Sequence, residues 1–223
     1  MSQAGTKPAN KRRTAPKHER KEQLIKATIR SIAKHGLSET TMASVASEAG
    51  LSQGIINLHF QSKDRLLEET LRYVADEYRM VWLSAMEKTD GSAAEQLKAL
   101  VAVDFDKRIC QRNKLAVWFA FWGESRSRPV YRQICAERDE EYRQLLRQLS
   151  KEIIRQGGYG ISADVVVFGL SAMNEGLWLD LLLNSPEMTP ESGFDIAMSW
   201  LQGIFPKHFG LSTTARQATT REN

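Results

Sequence analysis

Apolar residues recur every three to four positions along most of this chain, which is the period of an amphipathic α-helix. The first such stripe runs from His18 to His35, and Gly36 follows it at a position typical of a helix C-terminus. Two short segments at 42–49 and 53–59 come next, before a longer one from Lys63 to Met86. No segment shows the alternation of a half-buried β-strand convincingly. The pattern therefore predicts an all-α protein.

The second half of the chain continues the helical pattern after a turn signal at Asp90-Gly91-Ser92. Pro129 and Pro190 each open a helix where proline is favoured, and Pro206 is expected to stop the last one. The helices predicted in this half cover about 93–107, 112–124, 129–156, 161–183 and 190–205. Together with the four before them, nine helices are expected.

The predicted helix at 161–183 is apolar on nearly every side and, at 23 residues, is long enough to cross a bilayer. It also carries side chains that are costly in hydrocarbon, namely Asp164, Asn174, Glu175 and Asp180. We therefore expect a helix buried on two sides within a soluble assembly, and no membrane partner.

Positive charge is concentrated at the N-terminal end of the chain. Residues 1–40 contain ten Lys and Arg and three acids, a net of +7; the whole chain is +4, so the remainder nets −3. Residues 1–16 are polar, with Pro8, Pro16 and the run Lys11-Arg12-Arg13, and are expected to form a disordered basic arm. A basic end on a mildly acidic body indicates a polyanionic partner.

Several classes of chemistry have no signal in the sequence. Cys110 and Cys135 lie in no CxxC or Cys/His cluster, so we expect reduced thiols in a cytoplasmic protein and no metal site. The basic N-terminus has no apolar run after it, unlike a signal peptide. Without a nucleophile–base pair or a phosphate loop, we predict no catalytic residues, no cofactor and no enzymatic activity. A helical enzyme or carrier is the alternative, and steep salt dependence of binding to random duplex DNA would argue against it.

The segments between Thr40 and Phe60 have the spacing of a helix-turn-helix. Ala46 is small where the two helices would cross, and Gly50 supplies the positive φ that the tight turn needs. Four apolar side chains would fill the space between the helices: Val45, Ala49, Leu51 and Ile56. Helices this short do not persist alone, so they must pack against the helices before and after them.

The second short helix is the candidate recognition helix, which would enter the major groove of DNA. Gln and Asn pair with adenine edges, Leu contacts a thymine methyl group, and glycine permits close backbone approach. The residues expected to be exposed there are Gln53, Gly54, Asn57, Leu58 and His59. The residues suited to phosphate contacts are Thr41, Ser44 and Lys63. Residues 17–62 are therefore predicted to bind DNA, with an ordinary helical hairpin as the alternative.

The run from Thr41 to Leu67 resembles the TetR family of transcriptional repressors, and the resemblance covers about residues 18–70. It implies a nine-helix fold in which three helices bind DNA and residues 63–209 form an effector-binding and dimerisation domain. It also implies a homodimer on a near-palindromic double-stranded operator. Many family members have a phosphate-binding Tyr where Asn57 stands. Residues 210–223 are expected to be a frayed tail.

Within this family the chain is similar to the BetI-like subgroup, the choline-responsive repressors of betaine synthesis. The matching segments are Gly54-Ile55-Ile56, His59-Phe60, Leu66-Leu67-Glu68, Ala120-Phe121-Trp122, Pro129, Tyr131-Arg132 and Gly176-Leu177-Trp178-Leu179. The similarity implies a choline-like cation as effector. A TetR-type regulator with another inducer, such as a hydrophobic drug, an acyl compound or a nucleobase, is the alternative, and a thermal-shift screen would separate the two.

Tryptophans suggest where an effector would bind. Trp118 and Trp122 lie four residues apart on one helix face, while Trp82 and Trp178 lie on other helices expected to border the same domain. Aromatic faces beside a carboxylate suit a quaternary ammonium ion, and Glu175 is an acid in mid-helix that must be paired or line a pocket. These five residues are the predicted ligand site, with plain core packing as the alternative. Other acids nearby in the sequence are Asp104, Asp106 and Glu124.

The helix at 161–183 has more apolar sides than one domain covers, and the last helix is apolar as well. Two such helices from each subunit would form a four-helix interface. A ligand then switches DNA binding by favouring one spacing of the two recognition helices. The helix from Lys63 to Met86 joins the predicted DNA-binding residues 17–62 to the predicted ligand site, and it would transmit the movement that changes this spacing.

A transcriptional activator with the same DNA-binding residues is a further alternative, and transcription assays would distinguish it from a repressor.

Overall fold

The computed structural model describes residues 16–183 and 187–210, and this part of the chain is helical without a β-strand. The ten helices described are α1 (Lys17–Glu39), α2 (Met42–Glu48), α3 (Gln53–His59), α4 (Lys63–Lys88), α5 (Ala93–Asp104), α6 (Arg112–Glu124), α7 (Pro129–Gly157), α8 (Ala163–Leu183), α9 (Pro190–Ile204) and α10 (Pro206–Phe209). The predicted all-α class is confirmed. The predicted arm and tail lie outside the described residues, apart from Pro16 and Gly210.

The one helix beyond the nine predicted is the single turn α10. Pro206 was expected to stop the chain's last helix, and α9 does end at Ile204. Pro206 then opens α10, because a residue without an N–H and with a helical φ suits the first position of a helix.

The helix-turn-helix region is built around the buried face of α1. Leu24, Ala27 and Ile32 are fully or almost fully buried there, together with Val45 of α2 and Ile56 of α3. The φ of Gly36 is +80°, which interrupts helical geometry inside α1 at the predicted stop. The short helices α2 and α3 are therefore stabilised by packing against α1 and against each other rather than by their own length.

The N-terminal helices and the rest of the chain share one hydrophobic core. α1 packs against α6 as well as against α2 and α4. Along α4, buried Leu66, Leu67 and Leu71 extend the core towards α5 and α7. The helix-turn-helix is consequently joined to the C-terminal helices by direct contact with α6 in addition to the continuous helix α4.

One side of α8 packs inside the molecule, and the other is exposed. Val166, Val167 and Leu170 are buried against neighbouring helices. The large apolar side chains exposed on α8 are Val165, Phe168, Leu179 and Leu183. Among the described residues, α8 alone is long and apolar enough to cross a bilayer, a test that core helices of soluble proteins also pass.

Candidate functional site

The turn between α2 and α3 holds the two helices at a fixed angle. The φ of Gly50 is +65°, as predicted, and the Leu51 amide donates to the Ala46 carbonyl at 2.9 Å. From α1, Gln23 Nε2 donates to the Ala49 carbonyl at 2.9 Å, which fastens the turn to the longer helix. The orientation of α3 is thus set by backbone geometry and by its buried Ile56.

The outer side of α3 is open to solvent. Gln53, Gly54, Asn57 and Leu58 are all exposed, and Leu58 reaches 77% exposure. A side chain this exposed is not held by packing inside the subunit. It is therefore free to contact the methyl group of a base. His59 was also expected to be exposed, but it is half-buried next to the buried Phe60. Burial is the largest cause that lowers the pKa of His59, and the nearby charges of Lys17, Arg20 and Lys21 lower it further.

The three residues predicted to bind phosphate already have partners within the chain. Thr41 and Ser44 form a reciprocal cap on α2: each side chain accepts a hydrogen bond from the backbone amide of the other, at 3.0 and 2.9 Å. Lys63 Nζ donates to the Ser38 carbonyl at 2.9 Å. Thr41 is exposed and the Lys63 ammonium keeps two further hydrogens, so both can still face a phosphate.

A cavity lies between α4, α5, α6, α7 and α8, enclosing about 610 Å³ with its open mouth included. It is lined by Tyr78, Asp104, Trp118, Trp122, Asp139, Tyr142, Arg143, Leu146, Leu170, Ser171, Asn174, Glu175 and Trp178. Four of the five predicted ligand residues are therefore brought together. Trp82 is not among the lining residues; it is buried, with its ring 5.9 Å from that of Tyr142 and edge-on to it.

Aromatic rings form one wall of this cavity. The rings of Trp122 and Trp178 are nearly parallel, with centroids 6.3 Å apart, and Trp118 approaches Trp122 at 5.8 Å. Tyr78 meets Trp178 edge-on at 6.1 Å. The wall offers several π faces to a bound cation.

A buried carboxylate, Asp104, lies at the junction of four helices beside the cavity. Its Oδ1 accepts from the Tyr78 hydroxyl at 2.5 Å, and its Oδ2 accepts from Tyr142 at 3.0 Å and from Asn174 Nδ2 at 2.6 Å. Trp178 Nε1 donates to the Asp104 carbonyl at 2.7 Å. Burial raises the pKa of Asp104 to about 6, against the lowering effect of the three donors. No cationic side chain in the described part of the chain pairs with this acid.

Two further acids and one base lie around the cavity. Asp139 faces Arg143 at 3.9 Å, and burial raises the pKa of Asp139 to about 6. Glu175, which was expected to be paired or to line a pocket, is among the lining residues and is exposed; partial burial raises its pKa. The described residues of the lining include three carboxyl groups and one guanidinium, so together they carry net negative charge when ionised.

The sequence reasoning missed several of these residues. Tyr78, Tyr142, Asn174 and Asp139 were not predicted, and of the other nearby acids Asp104 alone lines the cavity. Asp106 pairs with Arg108 at 2.7 Å, and Glu124 lies near Lys63 and Arg128. An acid inside the apolar run Leu100–Phe105 was the available signal for Asp104, because a charge in such a run has to find buried donors.

Two segments of the chain match known protein families. Residues 24–70 match "Bacterial regulatory proteins, tetR family", and residues 93–206 match "BetI-type transcriptional repressor, C-terminal". The second match alone spans half of the chain.

Relatives agree with these matches over most of their length. The chain is 33% identical over 186 residues to the HTH-type transcriptional regulator BetI of Paraburkholderia phymatum, covering 82% of this chain and 91% of that one. It is 32% identical over 174 residues to the BetI regulator of Escherichia coli K12, covering 74% and 83%.

Solved structures have the same fold. A transcriptional regulator from Pseudomonas aeruginosa PAO1 superposes with a TM-score of 0.75 at 29% identity, covering 88% of this chain and 95% of that one. A regulator from Saccharomonospora viridis, solved in complex with choline, superposes with a TM-score of 0.74 at 23% identity, covering 83% and 96%. The second likeness concerns the fold alone. From its helix-turn-helix, its C-terminal match and its relatives, this chain belongs to the TetR family of transcriptional regulators, with a BetI-type C-terminal domain, and is not an enzyme.

Proposed function

We propose that this chain is a cytoplasmic, choline-responsive repressor that binds a near-palindromic operator as a homodimer. The single observation that carries the choline assignment is the cavity in which two tryptophan rings lie nearly parallel and the described acids outnumber the bases. A quaternary ammonium ion cannot donate hydrogen bonds, so it is held by π faces and carboxylates.

The charge of the cavity also bears on other inducers. Asp104, Asp139 and Glu175 outnumber Arg143, so a fatty acid or another organic anion would meet repulsion. The regulator solved with choline supports the assignment to the extent that the same fold holds this cation in another protein.

DNA binding is proposed to use the exposed side of α3. Gln53, Asn57 and Leu58 would contact base edges, with Gly54 and His59 along the same helix. Thr41, Ser44 and Lys63 would position the helix on phosphates. The dimer is proposed to form through the exposed apolar side of α8 with α9, where Ile196 is also 43% exposed.

Isothermal titration calorimetry with choline tests the ligand. The matched control is 3,3-dimethyl-1-butanol, which has the shape of choline with carbon in place of the charged nitrogen. We expect choline to bind and the neutral alcohol to bind at least tenfold more weakly, because only choline gains from the π faces and carboxylates. Equal affinities, or no heat from choline at millimolar concentration, would refute the proposal.

The same titration on Trp122→Leu locates the site. Trp82→Leu is the control, because Trp82 is buried outside the cavity lining. The first variant should lose choline binding and the second should retain it, with folding checked by circular dichroism. Adding choline to the protein on operator DNA, in a transcription assay, then decides between repressor and activator.

A further inference from the structure

Asn174 is a buried polar residue whose hydrogen bonding is only half complete. It lies on α8, is 6% exposed and lines the cavity. Its Nδ2 donates to Asp104 Oδ2 at 2.6 Å, whereas its Oδ1 is buried and meets no donor among the described residues. Buried amide oxygens are almost always paired, so an orphaned one on a residue that lines a cavity points to a ligand that donates.

The amide cannot satisfy itself by turning over. In the reversed orientation Asn174 Oδ1 would lie against the Asp104 carboxylate, so that two acceptors would face each other. Asp104 is itself held by the hydroxyls of Tyr78 and Tyr142. Asp104 is therefore a positioning residue that keeps the amide oxygen of Asn174 free.

The other donors beside Asn174 are committed as well. Tyr78 and Tyr142 each donate their one hydroxyl hydrogen to Asp104, and the indole N–H of Trp178 donates to the Asp104 carbonyl. Once these bonds are made, the groups around Asp104 offer acceptors, which suit a hydroxyl on the ligand. Arg143 could attract a carboxylate, but it already faces Asp139 at 3.9 Å, and the described lining has more acids than bases.

The spacing agrees with a small amino alcohol. Asn174 and Trp178 lie four residues apart on α8, which places their side chains on one face about 5–6 Å apart at Cβ. In choline two carbon atoms separate the ammonium from the hydroxyl. A cation resting against Trp178 thus brings its hydroxyl within reach of Asn174.

We propose that Asn174 Oδ1 accepts a hydrogen bond from the hydroxyl of the bound quaternary ammonium, so that the cavity selects the alcohol over its carboxylate counterpart. The inference rests on the proposed function, since it presupposes a quaternary ammonium in this cavity. The protein then responds to the alcohol that an oxidising enzyme would consume, and not to the carboxylate it would form.

Three ligands tested on the wild-type chain probe the hydroxyl directly. They are choline, n-propyltrimethylammonium, in which a methyl group replaces the hydroxyl, and trimethylammonioacetate, which carries a carboxylate. We expect calorimetry to show choline binding about tenfold more tightly than the propyl compound, and the carboxylate more weakly than both. Equal affinity for choline and the propyl compound would overturn the inference while leaving a cation site in place. Failure of both to bind would overturn the proposed function, and this inference with it.

Asn174→Leu then assigns the selectivity to this residue. Leucine is similar in size but has no acceptor, so the affinity for choline should fall to that for the propyl compound. The affinity for the propyl compound should stay within about twofold of its value in the wild-type chain. An equal loss for both ligands would mean that Asn174 is structural, which contradicts the inference. Asn174→Thr, which keeps a hydroxyl acceptor, is expected to recover part of the preference for choline if the leucine variant does not fold.

Discussion

Gly50 is a single residue on which the orientation of α3, the proposed recognition helix, depends. Its φ of +65° is in the left-handed region, and a methyl group added there would meet no atom within 4 Å. The need for glycine is therefore conformational and not steric.

Gly50→Ala is expected to lower the free energy of unfolding by about 1 kcal/mol, because alanine is strained at positive φ. Gly123 provides the matched control, since it lies inside α6 with open space around it. Gly123→Ala should raise the free energy of unfolding by up to about 1 kcal/mol through helix propensity. Urea denaturation of both variants checks this prediction, and changes of the same sign would contradict it.

The acids of the cavity are expected to make the proposed choline binding depend on pH. Burial raises the pKa of Asp104 and of Asp139 to about 6, and raises that of Glu175, while Arg143 is the opposing charge. As pH falls from 7 to 5, Asp104 and Asp139 become protonated, so the cavity loses negative charge and choline affinity should fall severalfold. Calorimetry at both pH values measures this; Asp139→Asn should flatten the profile, and an affinity that rises at pH 5 would contradict it.

The same shift has a consequence for folding. Because the pKa of Asp104 is raised above its usual 3.8, the folded state binds more protons than the unfolded state between about pH 4 and pH 6. Its contribution to stability is therefore present below about pH 4 and is lost as pH rises through 6.

At the scale of elements, α8 serves two surfaces. One side supplies Asn174 and Trp178 to the cavity. The other side is an exposed stripe of apolar and small residues, Val165, Phe168, Ala172, Gly176, Leu179 and Leu183. Small residues among large ones allow two helices to approach closely, as in a four-helix interface.

Phe168→Asp is expected to leave the protein monomeric at concentrations on the order of 10 µM, since a charge would replace a central aromatic side chain of the proposed interface. Met80→Asp is the control, because Met80 is similarly exposed, at 62%, but lies on α4. Light scattering after size-exclusion chromatography measures the mass. A dimeric Phe168→Asp protein would exclude this interface.

At the scale of the whole molecule, α6 contacts both the cavity and the helices α1 and α4, which lie before and after the proposed DNA-binding helix α3 in the chain, so we expect it to couple the two sites. Trp118 and Trp122 of α6 line the cavity, and α6 also packs against α1. Just beyond α6, Arg128 Nη1 pairs with Asp64 Oδ1 at 2.7 Å in the first turn of α4. A shift of α6 on ligand binding would therefore reach both α1 and α4.

Arg128→Ala is expected to weaken this communication without removing either site. The affinities for choline and for DNA, measured separately, should each stay within about threefold of the wild-type values. Arg128 is not among the residues that line the cavity, and it does not belong to α3. The change in DNA affinity caused by choline should shrink, by a factor of about 2–5 for an exposed ion pair. Fluorescence anisotropy with and without choline measures it, and an unchanged ratio would refute the role.

Local signals in the sequence predicted much of this molecule. The apolar period predicted the helices, and Gly36 and Gly50 marked two of their turns, where both have a positive φ. These features depend on a few neighbouring residues, so they can be read without knowing the fold. The extra turn α10 and the exposure of Glu175 were missed, because both depend on what packs beside them.

The sequence by itself determined the helices, the helix-turn-helix, the exposed side of its second helix and the tryptophans available for a cation. Only the tertiary structure decided which polar side chains meet: Asp104 joins Tyr78, Tyr142 and Asn174 across up to 70 residues of chain. The physical reason is the distance along the chain between the residues that determine each feature. Helical period and turn conformation are local, whereas the partner of a buried polar atom is set by how distant helices pack.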